Sequence, residues 1–230
     1  MSLQKTLKRV VKLKKREYPS LLRKIHKKHN ISKRTLFYVK EYCSDDSVMN
    51  VIIKESLNIL ILASFISAIG GFGLESLKTT FIEILPLIIL FPVLNGSIGN
   101  FGIVFASKYS TMIHEGRNKT HPFKSKEIKE LVVKLVIIGI LTAVLASIFS
   151  LVFASLRGFE VVPQVTSKIF LITFIDLTFV PLLIFIISAK AGSYVYKKKE
   201  DPNNFLIPIS TSAADLLNIA ALAILVLIFF

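Results

Sequence analysis

The stretch that decides the fold class is FLIPISTSAADLLNIAALAILVLIFF, residues 205–230. It is almost entirely apolar and carries one charge, Asp215, ten residues from its start. A helix over this stretch advances about 1.5 Å per residue, so it crosses a hydrocarbon layer of about 30 Å with Asp215 near the middle. An ionised carboxylate at that depth costs at least about 2.5–3.5 kcal/mol unless it faces water, a cation or a partner. Asp215 is therefore the first candidate functional residue.

Four more apolar blocks of membrane-crossing length precede this one, at residues 57–74, 84–107, 135–156 and 169–189. The chain of 230 residues is 53% apolar with a mean hydropathy of +0.63, and its apolar residues come in long uncharged blocks. Each block suits one helical crossing of about 20 residues. The sequence predicts an all-α, polytopic membrane protein, with a five-helix transmembrane domain at residues 48–230 and a basic arm of short helices at residues 1–47.

Basic residues are sorted along the chain in a way that predicts its orientation. The net charge is +14, and 26 of the 29 Lys and Arg residues lie in residues 1–54, 107–134 and 190–204. These segments fall on one side of a five-span topology, and positive charge marks the cytoplasmic side. We therefore expect a multi-pass protein of the cell membrane with a cytoplasmic N-terminus and an extracellular C-terminus.

The basic arm leaves two interpretations open. Its sequence from Asn30 to Lys40 could form part of a helix-turn-helix that binds nucleic acid, although nucleic acid is an unlikely partner. The alternative is an arm that lies on anionic lipid headgroups or serves as a topology signal. Cys43 is the single cysteine, so neither an intrachain disulfide nor a cysteine metal cluster can form, and no bound cofactor is expected.

The second span is unusually rich in helix-breaking, small and amide residues. Within seventeen residues it contains Pro86, Pro92, Asn95, Gly96, Gly99, Asn100 and Gly102. Prolines free backbone carbonyls and glycines allow close helix contact, so we expect this span to be broken or closely packed in its middle. The glycines could form only a packing face. The two amides instead favour a polar conduit that offers oxygen atoms to a hydrated ion.

In the last span, Thr211, Asp215 and Asn218 follow one another at spacings of four and three, which puts them on one helical face. Carboxylate, hydroxyl and amide oxygens suit Mg²⁺, which keeps most of its water and meets protein through one or two carboxylates. Soft metals prefer thiolate or imidazole, and no span contains His or Cys. The stripe therefore predicts a magnesium path.

Asp176, in the fourth span, has two equally weighted interpretations. It could form a second site for an ion or a proton. It could also be a structural carboxylate that is hydrogen-bonded to Thr173, Thr178 or a neighbouring helix.

Motifs of enzymes are missing from the sequence. There is no metalloprotease, serine hydrolase or P-loop signature and no paired acidic motif at a membrane surface. We therefore predict that the chain is not an enzyme.

Two segments resemble one transporter family. The sequence PVLNGSIGN from Pro92, followed by ASKYST from Ala106, resembles the second-helix signature of MgtE-type and solute carrier family 41 magnesium transporters. The segment DPNN from Asp201 and the sequence PISTSAADLL from Pro208 resemble that family's last-helix pattern, in which the acidic residue is a cation ligand. The similarity covers about residues 55–230 in span count and order.

This resemblance implies a magnesium pore between the second and fifth helices of a homodimer. Asp215 would be the central ligand, and Ala214, Thr211 and the segment from Asn95 through Gly96 and Gly99 to Asn100 would line the path. The sequence departs from the family at Gly102 and Val104, where other members tend to have Glu and Gln, so ion selectivity does not transfer. Two alternatives stay open: transport of another divalent cation such as cobalt or manganese, and a membrane-anchored regulator whose arm binds nucleic acid or a protein.

Overall fold

The computed structural model describes residues 48–114, 125–198 and 202–230, and these residues are helical apart from short connections. The helices are α1 (Val48–Ser76), α2 (Lys78–Glu83), α3 (Leu85–His114), α4 (Lys126–Leu156), α5 (Pro163–Lys198) and α6 (Pro202–Phe229). All of them except the short α2 are long and apolar enough to cross a membrane. The predicted all-α class and the five spans are confirmed, whereas the arm at residues 1–47 lies outside the described residues.

Several helices continue past the apolar blocks that predicted them. Helix α4 begins at Lys126, nine residues before the predicted span, and α5 continues to Lys198. The charged start of α4 has helical spacing, since Lys134 donates to Glu130 one turn earlier at 2.7 Å. Apolar blocks therefore mark the part of each helix that suits hydrocarbon, and charged turns extend the helix beyond it.

Helix α6 lies at the centre of the bundle and packs against α1, α3 and α5. Helices α3 and α5 also pack against each other, and α4 covers both of them. The outer faces of α1 and α4 are strongly apolar, with Phe65, Phe72, Leu141 and Phe153 all exposed. Such apolar faces suit contact with lipid chains, whereas polar residues lie in the interior of the bundle.

Aromatic packing joins α3 to α5. The rings of Phe105 and Phe185 stack with their centroids 4.7 Å apart, and the hydroxyl groups of Tyr109 and Ser193 lie 2.7 Å from each other. A Cβ added to Gly192 would lie 2.9 Å from both Tyr109 and a side-chain carbon of Leu206. Glycine is therefore required where α3, α5 and α6 meet at this level.

The predicted break in the second span is wrong, because α3 is continuous through Pro92. The predicted close packing is found at Gly102, where an added Cβ would lie 3.1 Å from Ser210 on α6 and 3.2 Å from Ile184 on α5. Gly96 and Gly99 have no atom within 4 Å of an added Cβ, so they contribute no packing within one chain.

In α5, a proline leaves one backbone carbonyl without its helical hydrogen bond, and a neighbouring helix covers that carbonyl. Pro181 has no N–H for the carbonyl of Leu177, four residues earlier. A Cβ added to Gly139 on α4 would lie only 2.8 Å from that carbonyl oxygen. The α4 backbone therefore covers the freed carbonyl at close range, which only glycine permits.

Candidate cation site within the membrane

Asp215 accepts two hydrogen bonds from two other helices. Its Oδ1 accepts from Asn95 Nδ2 on α3 at 2.8 Å, and its Oδ2 accepts from Ser67 Oγ on α1 at 2.7 Å. Both donors use N–H or O–H groups, which matches an ionised carboxylate that can only accept. The carboxylate is thus held in one orientation by α1 and α3 together.

Asn95 connects this carboxylate to a second amide on α6. Its Oδ1 accepts a hydrogen bond from Asn218 Nδ2 at 3.1 Å, while its Nδ2 donates to Asp215. Asn218 is fully buried, and its Oδ1 has no hydrogen-bond partner among the described residues. The predicted stripe on the last span therefore meets an amide of the second span, and Asp215, Asn95, Asn218 and Ser67 form what we call the polar layer.

Two glycines of α1 bring Ser67 within reach of Asp215. A Cβ added to Gly70 would lie 3.3 Å from Ile219 Cδ1 and 3.4 Å from Leu216 Cα on α6. A Cβ added to Gly73 would lie 3.0 Å from Ile219 Cγ2. Small residues at this spacing let two membrane helices approach closely, as in other membrane bundles. The close approach sets the position of the Ser67 hydroxyl.

The polar layer offers one carboxylate together with amide and hydroxyl oxygens, which are the ligand types of hard cations. Two of about four lone-pair directions of the Asp215 carboxylate accept the hydrogen bonds from Asn95 and Ser67, which leaves the others for an ion or its water. Asp215 is only partly buried. Within the described residues no group of three or more His, Cys, Asp or Glu side chains could hold a metal ion. The layer therefore suits an ion that stays largely hydrated and leaves again.

The other residues predicted on α6 lie on either side of Asp215. Thr211, one turn earlier, donates its hydroxyl to the carbonyls of Ile207 and Pro208 at 3.1 and 3.0 Å. Its oxygen lone pairs therefore stay available, and the residue is partly exposed. Ala214 is fully buried in the core of the bundle, so its side chain does not reach an open surface of the single chain.

The remaining predicted residues of α3 face away from the bundle. Gly96 and Asn100 are exposed, and Gly99 is partly exposed. The structure thus brings Asn95 to Asp215 but leaves Gly96, Gly99 and Asn100 on an outer face of α3.

Asp176 lies on α5 and is fully buried, and neither of its carboxyl oxygens has a hydrogen-bond partner among the described residues. Thr173 donates to Ile169 O at 2.7 Å, and Thr178 Oγ1 also lacks a partner in the described part of the chain. The interpretation of Asp176 as a hydrogen-bonded structural carboxylate is therefore wrong for this conformation.

Sequence reasoning missed Ser67. Serine is common in apolar spans, and the first span contains two, Ser64 and Ser67, with nothing in its composition to set Ser67 apart. The available signal was the spacing of Ser67, Gly70 and Gly73, which puts a hydroxyl and two small residues on one face.

A comparison with protein-family models identifies the fold and the transported class. A model described as MgtE, divalent cation transporter, matches residues 91–225, more than half of the chain. The chain belongs to the MgtE family. The MgtE match begins within α3 and ends within α6, so it contains Asn95, Asp176 and Asp215, whereas Ser67 precedes it. Searches of curated proteins and of solved structures gave no match.

Membership in the MgtE family confirms the resemblance seen in the two sequence segments. The chain is a multi-pass membrane protein of a divalent cation transporter family, and this is a family of transporters rather than of enzymes.

Proposed function

We propose that this protein transports Mg²⁺ across the cell membrane through a pore formed by α3 and α6 of a homodimer, with Asp215 as the central ion ligand. The observation that carries the proposal is the Asp215 carboxylate, which lies within a membrane span and accepts hydrogen bonds from Asn95 and Ser67. A charged residue within a span is costly and usually marks an ion pathway. The family match adds that divalent cations are the transported class.

The exposed face of α3 supports the homodimer. Pro92, Val93, Gly96 and Asn100 are exposed and follow one another at helical spacing. An amide such as Asn100 is unfavourable against lipid chains but suits a water-filled path or a second helix. A second copy packed on this face would line the path with Gly96, Gly99 and Asn100, while Thr211 contributes from α6; Ala214, which is buried in the core, lies behind this lining.

The chemistry of the polar layer favours magnesium over softer ions. Carboxylate, amide and hydroxyl oxygens are hard ligands, and the described spans offer no thiolate or imidazole. A single carboxylate per chain attracts the ion without replacing its whole water shell, so the ion can leave. By the positive-inside rule, the basic segments support a cytoplasmic N-terminus and an extracellular C-terminus.

Ion competition in liposomes tests the choice of magnesium. The purified protein is reconstituted with a magnesium dye inside, and uptake is measured with Co²⁺ or Mn²⁺ added outside at the same concentration. We expect Mg²⁺ uptake with weak competition from either ion. Strong block by Co²⁺ or Mn²⁺, together with transport of the competing ion, would assign the protein to another divalent cation. Absence of any flux would favour the membrane-anchored regulator.

A further inference from the structure

Contacts at two levels show which parts of α3, α5 and α6 lie side by side. Gly102 on α3 meets Ile184 on α5 and Ser210 on α6. At a second level, Gly192 on α5 meets Tyr109 on α3 and Leu206 on α6. Residue numbers rise together in α3 and α5 and fall in α6, so α3 and α5 run parallel and α6 runs against them.

Asp176 falls at the height of the polar layer. From the level of Gly102, Asn95 lies seven residues back along α3 and Asp176 lies eight residues back along α5. Asn218 lies eight residues forward along α6 from Ser210. Each displacement is about 10–12 Å along a helix. The hydrogen bond from Asn218 to Asn95 shows that two of the three residues do meet at that height.

Two unpartnered polar groups therefore share this height. Both carboxyl oxygens of Asp176 and the Oδ1 of Asn218 are buried without a hydrogen-bond partner among the described residues. All these atoms are acceptors unless Asp176 carries a proton. An ionised carboxylate without a donor or a cation is very costly in such surroundings, whereas the neutral acid supplies an O–H donor and carries no charge.

Among the helices that pack against α5, Asp215 is the charged residue closest in height to Asp176. Helix α3 has no charged residue between Leu85 and Ser107. On α4, the nearest is Lys134, five residues from Gly139, and it is mostly exposed and paired with Glu130. On α5 itself, Lys168 lies eight residues away towards the start of the helix. Asp215 on α6 lies in the polar layer, and packed helix axes are about 8–10 Å apart.

We propose that Asp176 is a proton-binding site coupled to the cation site at Asp215, so that a divalent cation entering the polar layer releases a proton from Asp176. This inference rests on the proposed function. Without a cation, the negative charge of Asp215 favours the neutral acid at Asp176. With a divalent cation bound, the local charge becomes positive, Asp176 ionises, and its proton passes to water. In the net step, Mg²⁺ binds at Asp215 and the neutral Asp176 acid loses its proton, so the products are the Asp176 carboxylate, the bound Mg²⁺ and one H⁺ in water.

The size of the coupling can be estimated from the usual spacing of packed helices, about 8–10 Å. A divalent cation and a carboxylate about 10 Å apart, at an effective dielectric constant of about 20, change each other's binding constants on the order of a hundredfold. Linkage makes the effect reciprocal, so protons weaken cation binding by the same factor. Acidic solution should therefore lower the apparent Mg²⁺ affinity by up to about a hundredfold, and neutral solution should restore it.

Proton release on cation binding tests the proposal directly. Detergent-purified full-length protein is held in weakly buffered solution with a pH dye, MgCl₂ is injected, and choline chloride of equal ionic strength serves as the blank. Equilibrium dialysis on the same sample measures bound Mg²⁺. We expect up to about one proton released per chain in wild type and none in Asp176→Asn, which mimics the neutral acid.

Thr173→Val is the matched control, because it removes a buried hydroxyl from the same helix and leaves the carboxyl group intact. This variant should release protons as wild type does. In liposomes, the Mg²⁺ uptake of Asp176→Asn should lose the part of the pH dependence that wild type shows from acidic to neutral pH.

Two results would overturn the proposal while leaving Mg²⁺ transport in place: equal proton release from wild type and Asp176→Asn, or Mg²⁺ binding to wild type with no release across that pH range. If wild type bound and transported no Mg²⁺ at all, both this inference and the proposed function would fail.

Discussion

Enlarging Gly70 should separate α1 from α6 and remove one of the two donors to Asp215. A Cβ at Gly70 lies 3.3–3.6 Å from atoms of α6, so alanine needs a shift of only a few tenths of an ångström. Leucine adds carbon atoms about 1.5 Å farther out, which pushes α1 away by about 1 Å or more. The Ser67–Asp215 distance of 2.7 Å then exceeds the 3.5 Å limit of a hydrogen bond.

The loss of this bond should appear in transport. Without the Ser67 donor the Asp215 carboxylate is held from α3 alone, so it is less well oriented for the ion and the half-saturating Mg²⁺ concentration should rise severalfold in Gly70→Leu. Gly70→Ala should stay close to wild type. Gly71→Leu is the matched control, because a Cβ at Gly71 meets no atom within 4 Å. Liposome uptake at graded Mg²⁺ measures all three variants, and equal uptake constants for Gly70→Leu and Gly71→Leu would refute the role of the α1 contact.

Three further substitutions test other contacts. Gly139→Ala puts a Cβ 2.8 Å from a backbone oxygen, so it should destabilise the protein by about 1–3 kcal/mol and lower its melting temperature in detergent. The control Gly71→Ala should leave the melting temperature unchanged. Equal melting temperatures for the two variants would contradict the close contact at Gly139. Asn95→Ala removes both hydrogen bonds that the Asn95 side chain makes in the polar layer and should reduce Mg²⁺ uptake at least about tenfold. Unchanged uptake would show that Asn95 is dispensable. Thr211→Val should lower uptake severalfold, while Thr142→Val on α4, whose hydroxyl also bonds to its own helix, should leave uptake intact. If both threonine variants matched wild type, Thr211 would not line the path.

Much of the polar layer could be predicted from sequence, because membrane spans restrict where polar atoms can go. Asp215 and Asn218 share a face at helical spacing, and Asn95 is one of two amides in the second span. Sequence did not choose between Asn95 and Asn100. The rotation of α3 decides that choice, and it turns Asn95 towards Asp215 and Asn100 outwards.

Features that depend on helix pairing could not be predicted. Ser67 reaches Asp215 only because α1 packs on α6, and a pairing between the first and last spans leaves little trace in either span alone. Of the two alternatives for the middle of the second span, a break or close packing, only the packing is found, because a single proline removes one hydrogen bond without ending a helix in a membrane bundle. Sequence also could not predict that Asp176 lacks a hydrogen-bond partner among the described residues, because two threonines close to it in sequence could have been its donors.

The most direct test of the account is Mg²⁺ uptake by liposomes that contain wild type, Asp215→Asn or Glu160→Gln. The Glu160→Gln control removes an exposed carboxylate from the connection between α4 and α5. All three proteins are matched for amount and for elution as a folded species. We predict uptake by wild type and by Glu160→Gln, and its loss in Asp215→Asn. Uptake by Asp215→Asn at the wild-type rate would contradict the claim that this carboxylate is the central ion ligand.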